Sequence, residues 1–261
     1  MENTFRFLNL PPETPALRIL GVIPARYAST RFDGKPLALI AGKPMIQHVY
    51  EQASQAKLDD LIVATDDQRV MQAVGNFGGR ALMTRRDHET GSSRCAEVAA
   101  GYFSAGENGI VINIQGDEPL VPPENIDRIR DMLTMDGGIS IATLCIPTSD
   151  PRELASPDVV KVVMTLTGRA LYFSRSPIPY HHDSRNTDGA YRHIGIYGFR
   201  WPELSTLAEL KPTAAERAER LEQLRWLQHG IPIGIAETDK YSLSVDVPDD
   251  IGRVEARMRS G

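Results

Sequence analysis

Five residues near the middle of the chain, Ile110–Ile114 (IVINI), constrain the fold most. A short run of this kind is what a strand covered on both faces requires, and such strands build parallel sheets. Similar runs occur at Ile19–Ile23 and Leu61–Thr65, with a shorter one at Ala81–Met83. Between them lie segments with helical spacing at Met45–Ala56, Asp67–Phe77, Ser92–Phe103 and Pro123–Met135. The last opens on proline, whose missing N–H costs nothing in a first helical turn. This alternation predicts βαβ units and an α/β fold with a mainly parallel sheet.

The pattern then changes. Ile139–Ile146, Val159–Leu166, Ala170–Phe173 and His193–Phe199 are strand-like with little helix between them, which predicts either a small inserted antiparallel lobe around residues 150–200 or an extension of the sheet. Ala215–Gln228 predicts one helix, ended by Gly230. Ile231–Ala236 and Leu243–Val245 are expected to close the sheet, and a last helix is expected over Pro248–Met258. Residues 18–261 read as a single domain. Residues 1–17 read as a mobile leader, rich in Pro, Glu and Thr between Pro11 and Pro15.

Composition narrows the function. A length of 261 residues suits one large α/β domain. The formal net charge is −5 and no basic stripe is visible, which argues against a nucleic-acid partner. The leader lacks a basic start followed by a long apolar run, and no stretch reaches the roughly 20 apolar residues of a membrane span. A soluble cytoplasmic protein is therefore expected. Cys95 and Cys145 stand far apart and alone, so they read as reduced core thiols rather than zinc ligands.

An acidic protein can bind a polyanion only through a local cluster of positive charge. Val22–Pro36 (VIPARYASTRFDGKP) supplies one, at the carboxyl end of the first strand, where open α/β sheets bind ligands. Pro24 and Ala25 lead into Arg26, Ser29, Thr30, Arg31, Gly34 and Lys35, a mixture of cations and N–H donors suited to phosphates. Gly34-Lys35 and Gly42-Lys43 are each followed by proline, so the GxxxxGK-S/T fingerprint is absent, as is GxGxxG. An ATPase and a simple dehydrogenase are both disfavoured. Asp117, in Gln115-Gly116-Asp117-Glu118-Pro119, follows the most apolar strand and is placed to meet a metal-bound phosphate. Asp246 ends another strand-like run; read alone, it fits a cap or turn before Pro248 better than a metal ligand, and Asp117 alone also fits a turn residue. Thr65 and Asp66 end a third strand, near where a base or ribose should sit.

At this point the chain resembles the 3-deoxy-manno-octulosonate (Kdo) cytidylyltransferases. The resemblance rests on IPARYAST-R-x-x-GKPL and I-x-GKPMI-x-H-V, then on VATDD, MTRRDHETGSSR, INIQGDEP, PDVVKVV, ALYFSRSPIPY, HIGIYGFR, LEQLRWLQHG and SVDVPDD. It runs from about Ile19 to the C-terminus. It implies a Rossmann-like nucleotidyltransferase sheet and transfer of CMP from CTP to an acidic sugar, with Mg2+ on Asp117 and Asp246. Arg26, Arg31 and Lys35 would then stabilise the phosphates during transfer. Pro24, Ala25, Arg26, Ser29, Lys35, Thr65, Asp66, Arg85, Gly91 and Gln115 would bind the nucleotide. Gln115, Arg175, Tyr180, His193, Glu222 and Gln223 would bind the sugar. Without the resemblance, Arg175 fits a surface charge equally well, Tyr180 a packed ring, His193 a satisfied strand-end histidine, and Glu222 a helix-surface partner of Arg225. The resemblance also implies a homodimer.

One stretch departs from the family pattern. Where the family carries Ser-Gly-Thr-Asp/Glu-Arg, this chain has Thr90-Gly91-Ser92-Ser93-Arg94, losing the acid at Ser93. That keeps other acceptors in view: an 8-amino sugar acid, a sialic-acid-like sugar or a small phosphonate. A non-catalytic nucleotide-binding protein on the same scaffold is the remaining alternative.

Overall fold

The computed structural model describes residues 17–28, 32–104, 107–182 and 189–260. The leader up to residue 16, with Ser29, Thr30 and Arg31 of the basic loop, lies outside the described residues.

Strand β1 (Arg18–Ala25) shows how the sheet is built. Its even-numbered residues Leu20 and Val22 pack on one side of the sheet, while Ile19, Ile23 and Ala25 pack on the other. Such period-two alternation with both faces apolar demands a helical layer on each side. After the short hairpin β2 (Leu39–Ile40) and β3 (Lys43–Pro44) come α1 (Met45–Ala53), β4 (Asp60–Thr65), α2 (Gln68–Asn76) and β5 (Ala81–Met83). Then follow α3 (Gly91–Tyr102), β6 (Gly109–Asn113), α4 (Pro123–Met135) and β7 (Ile141–Pro147). Helices α1, α2 and α4 cover one face; α3 packs on the other. Every residue of β6 is buried, and each large apolar side chain there contributes about 1.5–3 kcal/mol.

The second half contains α5 (Pro151–Ala155), β8 (Lys161–Met164), β9 (Ala170–Ser174) and β10 (Tyr191–Trp201). It continues with α6 (Glu203–Glu209), α7 (Ala214–Glu219), α8 (Gln223–Gln228), β11 (Ile233–Glu237) and α9 (Asp250–Ser260). The main path of the sheet is β11-β7-β10-β6-β1-β4-β5. All neighbours on it are parallel except β10, which runs antiparallel to both β6 and β7. The hairpin β8–β9 attaches to the first residues of β10.

Several expectations need correction. The lobe is smaller than the 150–200 span: His193–Phe199 forms most of β10 in the middle of the main sheet, as the sheet-extension reading has it. Gly198 permits this, since a Cβ there would collide with Ile129 and stand 2.7 Å from Leu133 on α4. The single helix expected over Ala215–Gln228 is two helices, broken where Arg220 takes a left-handed conformation at φ 54°. Leu243–Val245 joins no strand ladder; instead the Val245 N–H donates to the Asp117 carbonyl at 2.9 Å. Helices α5 and α6 are too short for their periodicity to stand out. A small separate core of Ile40, Met45, Val245 and Val254 fastens α9 and the preceding segment over β2.

Candidate active site

Because the parallel strands share a direction, their carboxyl ends meet along one edge, where β1, β4, β5 and β6 deliver the candidate residues. At the end of β1, Pro24 and Ala25 lead to Arg26, whose guanidinium donates to the His88 carbonyl at 3.3 Å. A Cβ at Gly116 would stand 2.6 Å from the Pro24 carbonyl oxygen, so glycine lets the exit from β6 lie against the exit from β1. The basic loop closes where the Gly34 N–H donates to the Tyr27 carbonyl at 2.9 Å, with Gly34 at φ 69°. The Arg69 guanidinium lies 3.3 Å from the centre of the Tyr27 ring, tying the loop to α2.

Lys35 then reaches inward. Its ammonium donates to Asp117 Oδ2 at 2.8 Å and to the Val245 carbonyl at 3.0 Å. With the bond from Val245 back to Asp117, this joins the basic loop, the β6 exit and the segment carrying Asp246. The backbone N–H groups of Asp246 and Val247 donate to Asp250 Oδ2 at 2.9 and 3.1 Å, so a helix-start carboxylate orients the Asp246 turn. Glu118, beside Asp117, has its carboxyl pushed up to about 7 by burial and by the Asp117 charge.

On the other side, Thr65 is buried and its carbonyl accepts from the Thr84 N–H at 2.7 Å. Asp66 is held by the Arg94 guanidinium at 3.0 Å, which also donates to the Thr84 hydroxyl at 2.5 Å. Arg94 is 1% exposed, and breaking a buried pair of this kind costs about 3–5 kcal/mol. Gly91 opens α3 behind the Thr90 cap, and Arg85 is exposed at the β5 exit. The missing acid at Ser93 has a counterpart one turn later. Glu97 pairs with His88 Nε2 and accepts from the Arg85 N–H at 3.2 Å, while Ser93 Oγ lies 3.2 Å from His88 Nδ1.

The acceptor candidates divide. Gln115 donates from Nε2 to the Gly195 carbonyl on β10 at 3.0 Å. His193, two residues earlier on β10, is buried between Phe173 and Tyr197, and burial pushes its imidazole down to about 3, so it is neutral. Glu222 accepts from the Ser92 hydroxyl, which brings the start of α8 against the start of α3; burial pushes its carboxyl up, and hydroxyls of Ser92 and Thr90 draw it back. The direct partner of the Arg225 guanidinium is Glu216 at 2.5 Å; Glu222 feels the Arg225 charge only through space. Gln223 is buried at the start of α8. The Arg175 guanidinium is engaged by the Glu219 and Pro157 carbonyls, each at 2.8 Å. Tyr180 is exposed and lines a separate apolar cavity of about 270 Å³ with Pro151, Leu154 and Pro177, where no other sugar candidate appears.

Four residues beside the candidates were not named from the sequence: Asn113, Glu97, Arg94 and Thr143. Arg94 carried a signal, since an arginine inside an otherwise small-residue helix start must find a buried acid. Asn113, 4% exposed at the end of β6, has an Oδ1 without a hydrogen bond among the described residues. Thr143, on an apolar strand, carried none.

Residues 20–235 match the family model described as cytidylyltransferase. The chain is 47% identical to the 3-deoxy-manno-octulosonate cytidylyltransferase of Geotalea uraniireducens, over 93% of this chain and 100% of that one. It is 48% identical to the protein of the same name from Myxococcus xanthus, over 93% and 97%. Among solved structures it superposes on CMP:2-keto-3-deoxy-manno-octonic acid synthetase in complex with CTP, with a TM-score of 0.86 and 44% identity, covering 93% of this chain and 99% of that one. With the basic loop, the acidic exit of β6 and the sheet order agreeing with these matches, the chain belongs to the cytidylyltransferase family and is a nucleotidyltransferase.

Proposed function

We propose that this enzyme transfers CMP from CTP to the anomeric hydroxyl of Kdo and releases pyrophosphate, in the cytoplasm, for lipopolysaccharide or capsule precursors. The observation that carries the reading is the junction of Lys35, Asp117 and the Val245–Asp246 turn at the carboxyl edge of the sheet. In the transfer, the sugar oxygen forms a bond to the α-phosphorus, the bond from that phosphorus to the β-phosphate oxygen breaks, and the hydroxyl proton leaves to solvent. Arg26, Arg31 and Lys35 hold the phosphates and offset charge on the departing pyrophosphate. Thr65, Asp66, Arg85 and Gly91 seat the cytidine, with Pro24, Ala25, Ser29 and Gln115 along its edge. Arg175, Tyr180, His193, Glu222 and Gln223, with Gln115, take the sugar.

Cytidylyltransferases use a divalent metal, and Mg2+ is the ion proposed here. The donor set fits: Mg2+ takes one or two carboxylates and fills its other positions with phosphate oxygens and water. Asp117 already faces a cation, the Lys35 ammonium, with 30% of its side chain accessible. Asp117 and Asp246 would hold the ion, which supplies positive charge at the phosphates and lowers the pKa of the attacking hydroxyl. No cluster of three acidic, histidine or cysteine ligands occurs among the described residues, and this chemistry does not need one. The part of the 150–200 span outside β10, with the β8–β9 hairpin, would serve sugar binding and pairing of two copies. Leu166 and Leu171 on the β8–β9 hairpin offer exposed apolar surface for that pairing.

The test is pyrophosphate release from CTP and Mg2+, with and without Kdo. Release that needs both substrates is the expected result. Release with another sugar acid or a phosphonate, and none with Kdo, would move the acceptor. Silence with every acceptor despite CTP binding would overturn the enzyme reading.

A further inference from the structure

Strand β10 does not pair evenly with β7. His193 lies opposite Cys145 and Ile194 opposite Leu144, but the next partner of β7, Thr143, faces Tyr197. Gly195 and Ile196 are therefore extra residues in a bulge, a device that re-aims side chains and leaves carbonyls off the ladder. Those carbonyls need donors, because buried backbone oxygens are almost always satisfied. Two side chains supply them. Gln115 Nε2 donates to the Gly195 carbonyl at 3.0 Å. The fully buried Thr143 hydroxyl lies 2.7 Å from the Ile196 carbonyl and 3.1 Å from the Ile194 carbonyl.

The same hydroxyl lies 2.9 Å from His193 Nε2. A hydroxyl carries one proton and two lone pairs. The Ile196 carbonyl, the nearer of the two at 2.7 Å and able only to accept, claims that proton. The hydroxyl must then accept from His193, so His193 carries its proton on Nε2. Nδ1 keeps its lone pair and is left as an acceptor, suited to a sugar hydroxyl. His193, Gly195, Glu118 and Arg192 line a common polar cavity of about 180 Å³ beside the Asp117 turn.

We infer that Thr143 is a positioning residue for the acceptor end of the site: its hydroxyl holds the β10 bulge and sets the His193 tautomer. The inference rests on the proposed sugar-binding role of His193 and Gln115. Burial that keeps His193 neutral agrees with it.

Two measurements test it. In steady-state pyrophosphate release, Thr143→Val should raise the KM for the sugar acid about tenfold, the loss of roughly one hydrogen bond, while the KM for CTP stays within about twofold. Thr143→Ser, which keeps the hydroxyl, should restore the wild-type value. A folded Thr143→Val protein with an unchanged acceptor KM, or with both KM values raised alike, would refute the inference. Ring-nitrogen NMR of the histidine-labelled wild type, with His193 assigned by loss of its signal in His193→Gln, needs no folded Thr143 variant. A proton on Nε2 supports the inference, and a proton on Nδ1 overturns it. An enzyme silent with every sugar acid sinks the functional reading instead, and the NMR signal then decides the Thr143 inference alone.

Discussion

At the scale of single residues, the site is a set of charges held by neighbours. Asp117 makes backbone and side-chain bonds to segments that are distant in sequence, yet only its side chain would touch a metal. Asp117→Asn keeps the shape and the backbone bond, so its melting temperature should stay near wild type while kcat falls about 10²–10³-fold. Near-wild-type turnover at limiting Mg2+ would remove Asp117 from the metal. His193 gives a pH prediction. Its ordinary pKa is near 6.5, and in the folded protein burial pushes it down to about 3. Between those values the unfolded chain binds a proton that the folded chain refuses, so stability falls as the solution is acidified from about pH 6.5. One proton corresponds to about 1.4 kcal/mol per pH unit. Denaturant titrations of wild type and His193→Gln between pH 6.5 and 5 should differ by roughly that slope; parallel lines would mean that His193 is charged in the fold.

At the scale of elements, legibility followed periodicity. Pro123–Met135 was readable to the residue because proline marks its start and apolar spacing runs through it. The β6 strand and the Asp117 turn were readable because a buried strand has few alternatives. Strand β10 was legible as a strand but not its place in the sheet: nothing in the sequence shows that Gly195 sits in a bulge or that Gly198 makes room for α4. The α7–α8 break turns on the backbone of Arg220, and nothing in an arginine announces a left-handed conformation. Thr143 was invisible because threonine on a strand is ordinary; only the carbonyls opposite it make its hydroxyl matter. Gly198 yields the element-scale prediction. Gly198→Ala places a methyl group into Ile129 and Leu133, and overpacking of this kind costs about 1–3 kcal/mol. Chemical denaturation should show the loss, and an unchanged midpoint would mean that α4 shifts freely.

At the scale of the whole molecule, the chain has two apolar layers around one sheet, and Cys95 and Cys145 both lie buried within them as free thiols. Burial pushes the Cys145 thiol up to about 12 and Cys95 higher than its ordinary value too. No described helix is long and apolar enough to cross a membrane. The β8–β9 hairpin stands at the margin of these layers with Leu166 and Leu171 exposed. The proposed dimer predicts that light scattering will give twice the mass of one chain, and that Leu166→Glu with Leu171→Glu will shift it toward one. A wild-type protein at the single-chain mass would sink that prediction without touching the chemistry.

The clasp between Val245 and Asp117 also has a consequence in time. A ribosome delivers Asp117 long before Asp246, and the small core of Ile40, Met45, Val245 and Val254 cannot close until α9 has emerged. A nascent chain halted between the two would carry the basic loop and Asp117 but neither the Val245 clasp nor the Asp246 turn. If Asp117 and Asp246 hold the metal as proposed, the site is complete only once the last segment of the chain has been made and folded back.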